Sequence, residues 1–258
     1  MTDQPVAEPA VEIRPGVLRP DWSAITRPAA RHALLGRTTA RAGLLDQWSC
    51  FLDADQDLVW RTALQLYAEH GRAPTTSDLA AAVGIAVDKL IDLLVELDAR
   101  DLFKFERDPA QIRLAYPFTE AKTGHCVELN GRMLRALCAI DALGVAAMYG
   151  ADTTITSPCH HCGTTVSVTT VAAGRALVSV QPSDATVWYD FAYKGSAAAP
   201  CCPSIAFFCS PRHLQSWQDA SQDPRVGIAL AMDEALEVGR AIFGPVLMPP
   251  DPRVPLKA

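Results

Sequence analysis

TTSDLAAAVGIAVDKLIDLLVELDARDLFKFERDPAQIRLAYPF, residues 75–118, decides the fold of the first half of this chain. Thr75 or Thr76 supplies an N-cap oxygen for a short helix that Gly84 ends. Val87, Leu90, Ile91, Leu94 and Leu97 then recur at three- and four-residue steps, which puts them on one side of a second helix across a tight turn. FKFERDPAQIRLAYPF reads as two short strands around a turn at Asp108 and Pro109. Upstream, Leu58, Val59, Thr62, Ala63, Leu66 and Tyr67 form a stripe at helical spacing that stops at Gly71. Three helices and a hairpin make a winged helix-turn-helix-like helical domain, assigned to residues 46–120.

That architecture raises the question of DNA. The formal charge is −6 and the pI about 5.5, which gives nucleic acid no long-range attraction. The second helix of the turn exposes Asp88, Asp92, Glu96 and Asp98 against only Lys89 and Arg100, whereas reading bases and phosphates requires Arg, Lys, Asn or Gln. A structural module is expected, with no nucleic acid as partner.

Residues 1–45 hold Pro5, Pro9, Pro15, Pro20 and Pro28, so a proline-rich N-terminal arm with at most short helical pieces is expected. On the other side, NGRMLRALCAIDALGVAAMYG (130–150) reads as one strongly apolar helix. Beyond it TTITS, TTVSVTT, ALVSVQ, ATVWYDF, SIAFFCS and VGIALAM are short β-rich runs. PRHLQSWQDA and DEALEVGRAIF fit two further helices. Residues 121–250 therefore read as an α+β domain, a mixed or antiparallel sheet with flanking helices, and the whole chain as α+β.

Of the 258 residues, 49% are hydrophobic and 20% charged, as in a globular protein. No apolar run is long enough for a membrane helix, and the first thirty residues lack a signal-type apolar core. A cytoplasmic protein without membrane contact is expected, and its eight cysteines should be thiols available for catalysis or metal binding.

Three cysteine groups carry candidate chemistry. Cys138 and Asp141 are three apart on the apolar helix, a spacing that places both on one face; the competing reading is a small core thiol beside a local cap. Cys201 and Cys202 lie between Pro200 and Pro203, which stiffen the backbone at a strand entrance; they also read as two ordinary thiols. Cys159 and Cys162 in SPCHHCG are half of a zinc site or a redox motif, and no second pair with the right gap is visible. Cys50, Cys126 and Cys209 have no visible partners and read as buried thiols. Phosphate-binding, dinucleotide-binding, HExxH and serine-elbow motifs are absent.

The order of elements and these cysteines together resemble the organomercurial (alkylmercury) lyases. In that family a winged-helix-like domain without DNA-binding activity precedes a mixed-sheet domain. The family pattern of a cysteine, two apolar residues and an aspartate matches CAID, pointing to Cys138 and Asp141. Its second catalytic cysteine opens a Cys-Cys pair before an aromatic strand, pointing to Cys201 in PCCPSIAFF, with Cys202 as a further mercury ligand. A structural cysteine matches Cys159 in SPCHHCGTTVSV. The proline-rich arm, Cys162, Cys126 and Cys209 depart from the pattern.

The resemblance implies cleavage of a carbon–mercury bond by protonolysis, with mercury held by the Cys138 and Cys201 thiolates and Asp141 as proton carrier. Mercury is a soft cation for which thiolates compete well. No cofactor is implied beyond free thiols for product release, a structural zinc at Cys159 and Cys162 being the alternative. The implied partners are an organomercurial substrate and a mercuric reductase that accepts Hg(II). The rival readings are a non-catalytic metal-binding protein and a metal-sensing winged-helix regulator.

Overall fold

The computed structural model describes residues 8–40, 52–191, 204–221 and 224–254. Cys50, Cys201 and Cys202 lie outside the described residues.

Residues expected to form an arm are built into the body of the protein. Val11–Arg14 (β1) and Val17–Arg19 (β2) pair antiparallel, a short 3-10 turn follows at Trp22–Ala24, and Pro28–Ala40 forms a 13-residue helix, α1. That helix is longer than the proline count suggested because Pro28 is its first residue, where a missing N–H costs nothing. Ala30, Ala33 and Leu34 are fully buried. Three arginines peg the segment inward. Arg14 pairs with Asp57 at 2.7 Å, Arg19 donates to the Ile242 carbonyl at 2.8 Å, and Arg37 donates to the Asp190 carbonyl at 2.6 Å. A buried guanidinium needs such partners, and here they come from residues up to 234 positions away, where Arg14 also donates to the Met248 carbonyl.

The helical module follows as Ala54–His70 (α2), Thr76–Val83 (α3) and Val87–Ala99 (α4). Asp53 and Gln56 form a capping box on α2, and Gly71 ends it at φ 72°. Thr75, one of the two candidate threonines, caps α3. On α4 Leu90, Leu93, Leu94 and Leu97 are buried, and Asp88, Asp92 and Glu96 are exposed. Phe103–Arg107 (β3), Ala110–Ala115 (β4) and Phe118–Thr119 (β5) close the module as an antiparallel sheet in the order β3-β4-β5.

The reading of residues 130–150 as one helix needs correction. Cys126–Leu129 (β6) and Arg132–Arg135 (β7) form a hairpin, and the helix α5 begins only at Ala139 and runs to Tyr149. Asn130 (φ 50°) and Gly131 (φ 74°) make the two-residue turn, whose left-handed pair matches the twist of the flanking strands. The hairpin joins Thr153–Pro158 (β8), Thr165–Val171 (β9) and Ala176–Gln181 (β10) in a five-stranded sheet, order β10-β9-β8-β6-β7. A three-stranded sheet holds Thr186–Asp190 (β11) between Ala206–Phe208 (β12) and Gly227–Ala231 (β13). Every strand pairing among the described residues is antiparallel, so the α+β reading holds without a mixed sheet.

Pro211–Asp219 (α6) and Met232–Phe243 (α7) complete the fold. α5 is apolar almost all round and therefore central, packed across α7 where Gly144 meets Gly239. Among the described residues no helix is long and apolar enough to cross a membrane.

Candidate active site

Cys138 sits one residue before α5 as its N-cap, in extended backbone (φ −147°, ψ 177°), and its sulfur accepts the Asp141 backbone N–H at 3.4 Å. The i, i+3 pairing expected on one helix face thus arises from a capping turn. Both side chains are buried, at 2% exposure for Cys138 and 1% for Asp141. The backbone around them is pinned from three directions. Leu137 N–H donates to Pro117 in the helical module, Ala136 N–H to His125, and Ala139 N–H to Ile205 at the entrance of β12.

Electrostatics at this point are a balance. A helix N-terminus carries partial positive charge, and the Asp141 amide is aimed at Sγ of Cys138. The Asp141 carboxylate three residues on opposes that charge. Arg19 adds a buried positive charge that acts on Asp141. Its guanidinium, fully buried, lies within about 6 Å of the Trp60, Tyr116 and Phe243 rings and couples electrostatically to Asp141. Burial lowers the Arg19 pKa to about 10, with Tyr116 and Asp141 pulling the other way, so it stays a cation at neutral pH. A buried thiol, a buried carboxyl group and a buried cation therefore share one place: a soft-metal ligand beside a proton carrier. A groove of about 720 Å³ reaches Leu137 but is lined by neither Cys138 nor Asp141.

Cys159 is buried at the end of β8, and it is not alone. Cys162, Cys209 and His213 join it, with all four candidate ligand atoms within 4.8 Å of one another. Cys162 Sγ is 3.7 Å from Cys209 Sγ, which is 2.9 Å from His213 Nδ1. Hydrogen bonding at Thr164 lowers the exposed Cys162 thiol to about 6, whereas burial, reinforced by its cysteine neighbours, raises Cys209 to about 12. The reading of Cys209 as a thiol without partners is thereby corrected. Cys126 is half-buried in β6 and stands apart from this group.

Arg19 and the Cys209–His213 pair escaped the sequence reading. Arg19 had no signal, since nothing in a proline-rich segment marks an arginine for burial. The Cys209–His213 spacing, C-x-x-x-H, was a legible signal, and only its distance in sequence from SPCHHCG hid it.

The two sites share a strand. Ile205, just before β12, bonds the start of α5, and Phe207 within β12 accepts the His160 N–H at 2.9 Å. The chain segment holding Cys201 and Cys202 leads directly into this strand.

Comparison with known proteins gives a consistent picture. The family profile described as MerB, alkylmercury lyase, matches residues 118–244. An alkylmercury lyase of Staphylococcus epidermidis is 33% identical over 183 residues, 70% of this chain and 80% of that protein. One from Bacillus cereus is 30% identical over 199 residues, 76% of this chain and 86% of that one. Among solved structures, the crystal structure of the mercury-bound form of MerB2 aligns with a TM-score of 0.62 and 25% identity, covering 76% of this chain and 93% of that chain.

Proposed function

The chain belongs to the alkylmercury lyase family, and from that premise we propose that Cys138, Asp141 and Cys201 carry out protonolysis of the carbon–mercury bond of an organomercurial. The observation that carries the assignment is the burial of Cys138 and Asp141 together on the first turn of α5, with the Arg19 cation beside them.

In this reading the Cys138 or Cys201 thiolate displaces the small ligand on R–Hg, and the second thiolate follows. Asp141 accepts the proton that leaves a thiol. Two sulfur ligands raise the electron density on mercury until the carbon behaves as a carbanion, and Asp141 returns the proton to it. The balance is R–Hg–X plus two thiols giving R–H, HX and mercury held by two thiolates. Cys201 stands four residues before Ile205 in the sequence. The bond from Ala139 to Ile205 sets the entrance of β12 beside the start of α5, which supports Cys201 as the second thiolate. Cys202 is a further candidate ligand.

We read residues 46–120 as a winged-helix-like module that serves structure; the acidic exposed face of α4 supports that reading against DNA binding. Its Pro117 carbonyl braces the residue before Cys138. We place the reaction in the cytoplasm, where free thiols complete release and a mercuric reductase takes up Hg(II).

The test is hydrocarbon release. Purified protein given phenylmercury in excess thiol should yield benzene, Cys138→Ser and Cys201→Ser should yield none, and Asp141→Ala should bind the mercurial but release benzene far more slowly. Wild-type rates in any of these variants would remove that residue from the mechanism. Tight mercury binding without benzene from the wild type would mean a sequestering protein.

A further inference from the structure

We propose that Cys159, Cys162, Cys209 and His213 form a tetrahedral structural zinc site, separate from the mercury chemistry at Cys138. The donor set is three thiols and one imidazole, with C-x-x-C and C-x-x-x-H spacings of the kind that closed zinc sites use. The geometry is prepared. Ligands about 2.3 Å from a zinc ion stand about 3.8 Å apart at a tetrahedral edge, and Cys162 Sγ lies 3.7 Å from Cys209 Sγ. The contact of 2.9 Å between Cys209 Sγ and His213 Nδ1 is a hydrogen bond that metal would open to about 3.6 Å, by displacing the shared proton.

The backbone supports the same reading. Residues 159–164 form a tight knuckle in which Gly163 N–H donates to Cys159 O at 2.9 Å and Cys159 N–H donates to Thr164 O at 2.7 Å. Gly163 at φ 76° provides the left-handed step after Cys162 that returns the chain to pair Thr164 with Cys159. The other half of the site caps α6, where Ser210 bonds the His213 N–H and places the imidazole one turn after Cys209. Cys159 and Cys209 are buried and Cys162 is exposed, which shields the site on one side and gives the metal an entrance.

The ion would tie the β8–β9 turn of one sheet to the β12–α6 junction of the other, 47 residues apart between Cys162 and Cys209. β12 is the strand into which the Cys201 and Cys202 segment leads. The site would therefore fix one end of β12, the strand that follows the Cys201 and Cys202 segment in the sequence, and takes no part in bond cleavage itself. Zinc suits this task because a d10 ion has no redox chemistry, and a closed tetrahedral shell leaves no position for substrate.

The experiment is metal analysis of the full-length protein expressed with zinc in the medium. About one zinc per chain is expected in the wild type and in Cys138→Ser, and loss of most of it in Cys162→Ser and Cys209→Ser. His213→Cys should keep the metal with four sulfurs. X-ray absorption at the zinc edge of the wild type should show three sulfurs and one nitrogen, which decides the matter even where a serine variant fails to fold. Wild-type protein without bound zinc, zinc coordinated by oxygen and nitrogen alone, or full zinc retained in folded Cys162→Ser would each overturn the proposal. None of these readouts depends on lyase activity.

Discussion

Gly144→Ala tests the packing that positions the site. A Cβ added there would come 2.3 Å from Phe243 Cδ2 and 2.8 Å from the Gly239 carbonyl oxygen. Carbon atoms pack best at about 3.5–4.0 Å, so the overlap with the ring exceeds 1 Å. Neither obstacle can retreat. Phe243 is fully buried, and the carbonyl belongs to the backbone of α7. Overpacking a core costs about 1–3 kcal/mol, and alanine returns about 1 kcal/mol through helix propensity. With a rigid ring and a backbone atom both in the way, the upper part of that range applies, for a net loss of about 2 kcal/mol. In a protein of this size that lowers Tm by about 4–8 °C.

Gly84→Ala is the control. Gly84 has φ 80° and open space around it, so only conformational strain of about 1 kcal/mol is expected. Urea unfolding and calorimetry of both variants give the comparison. Phe243→Leu combined with Gly144→Ala should recover at least about 1 kcal/mol relative to additivity, because the two changes share one space. Gly144→Ala within about 0.5 kcal/mol of wild type would refute the reasoning, as would a loss no greater than that of Gly84→Ala.

Three further outcomes follow from the buried polar groups. Burial, with the nearby His160, lowers His125 to about 4; the unfolded chain takes up that proton from about pH 6.5 downward, so stability should fall between pH 6.5 and 4 by up to about 3 kcal/mol and then level off. Denaturant midpoints across that range should show a shallower slope in His125→Phe, and equal slopes would count against the assignment. Burial alone would raise the Glu237 carboxyl, but hydrogen bonds from Thr26 and Arg27 outweigh it and hold the group below its usual range. Glu237→Gln should therefore cost about 1.5–3 kcal/mol at pH 7, and its deficit should shrink as acid protonates the wild-type carboxylate, below the ordinary carboxylate range. Arg19→Met leaves the Asp141 charge with less compensation and should cost about 3–5 kcal/mol. Adding Asp141→Asn should restore part of that loss in a double-mutant cycle, and strict additivity would mean the two charges do not interact.

Local pattern carried much of this protein. The three helices of the N-terminal module, its hairpin, α6, α7 and the β-rich runs were legible because periodicity and capping act over a few residues, and CAID gave Cys138 and Asp141 together. One error was local as well: the Asn130–Gly131 turn was a legible hairpin signal, overridden by the apolar composition on both sides of Leu134. Tertiary structure alone decided the rest. Whether Arg19 is solvated or buried depends on a carbonyl 223 residues away. Cys162 and Cys209 meet only because β8 and β12 are brought together from two sheets. Sequence spacing fixes which side chains share a helix face or a turn, whereas partners far apart along the chain are chosen by topology, through the burial and hydrogen bonding that the whole fold must satisfy at once.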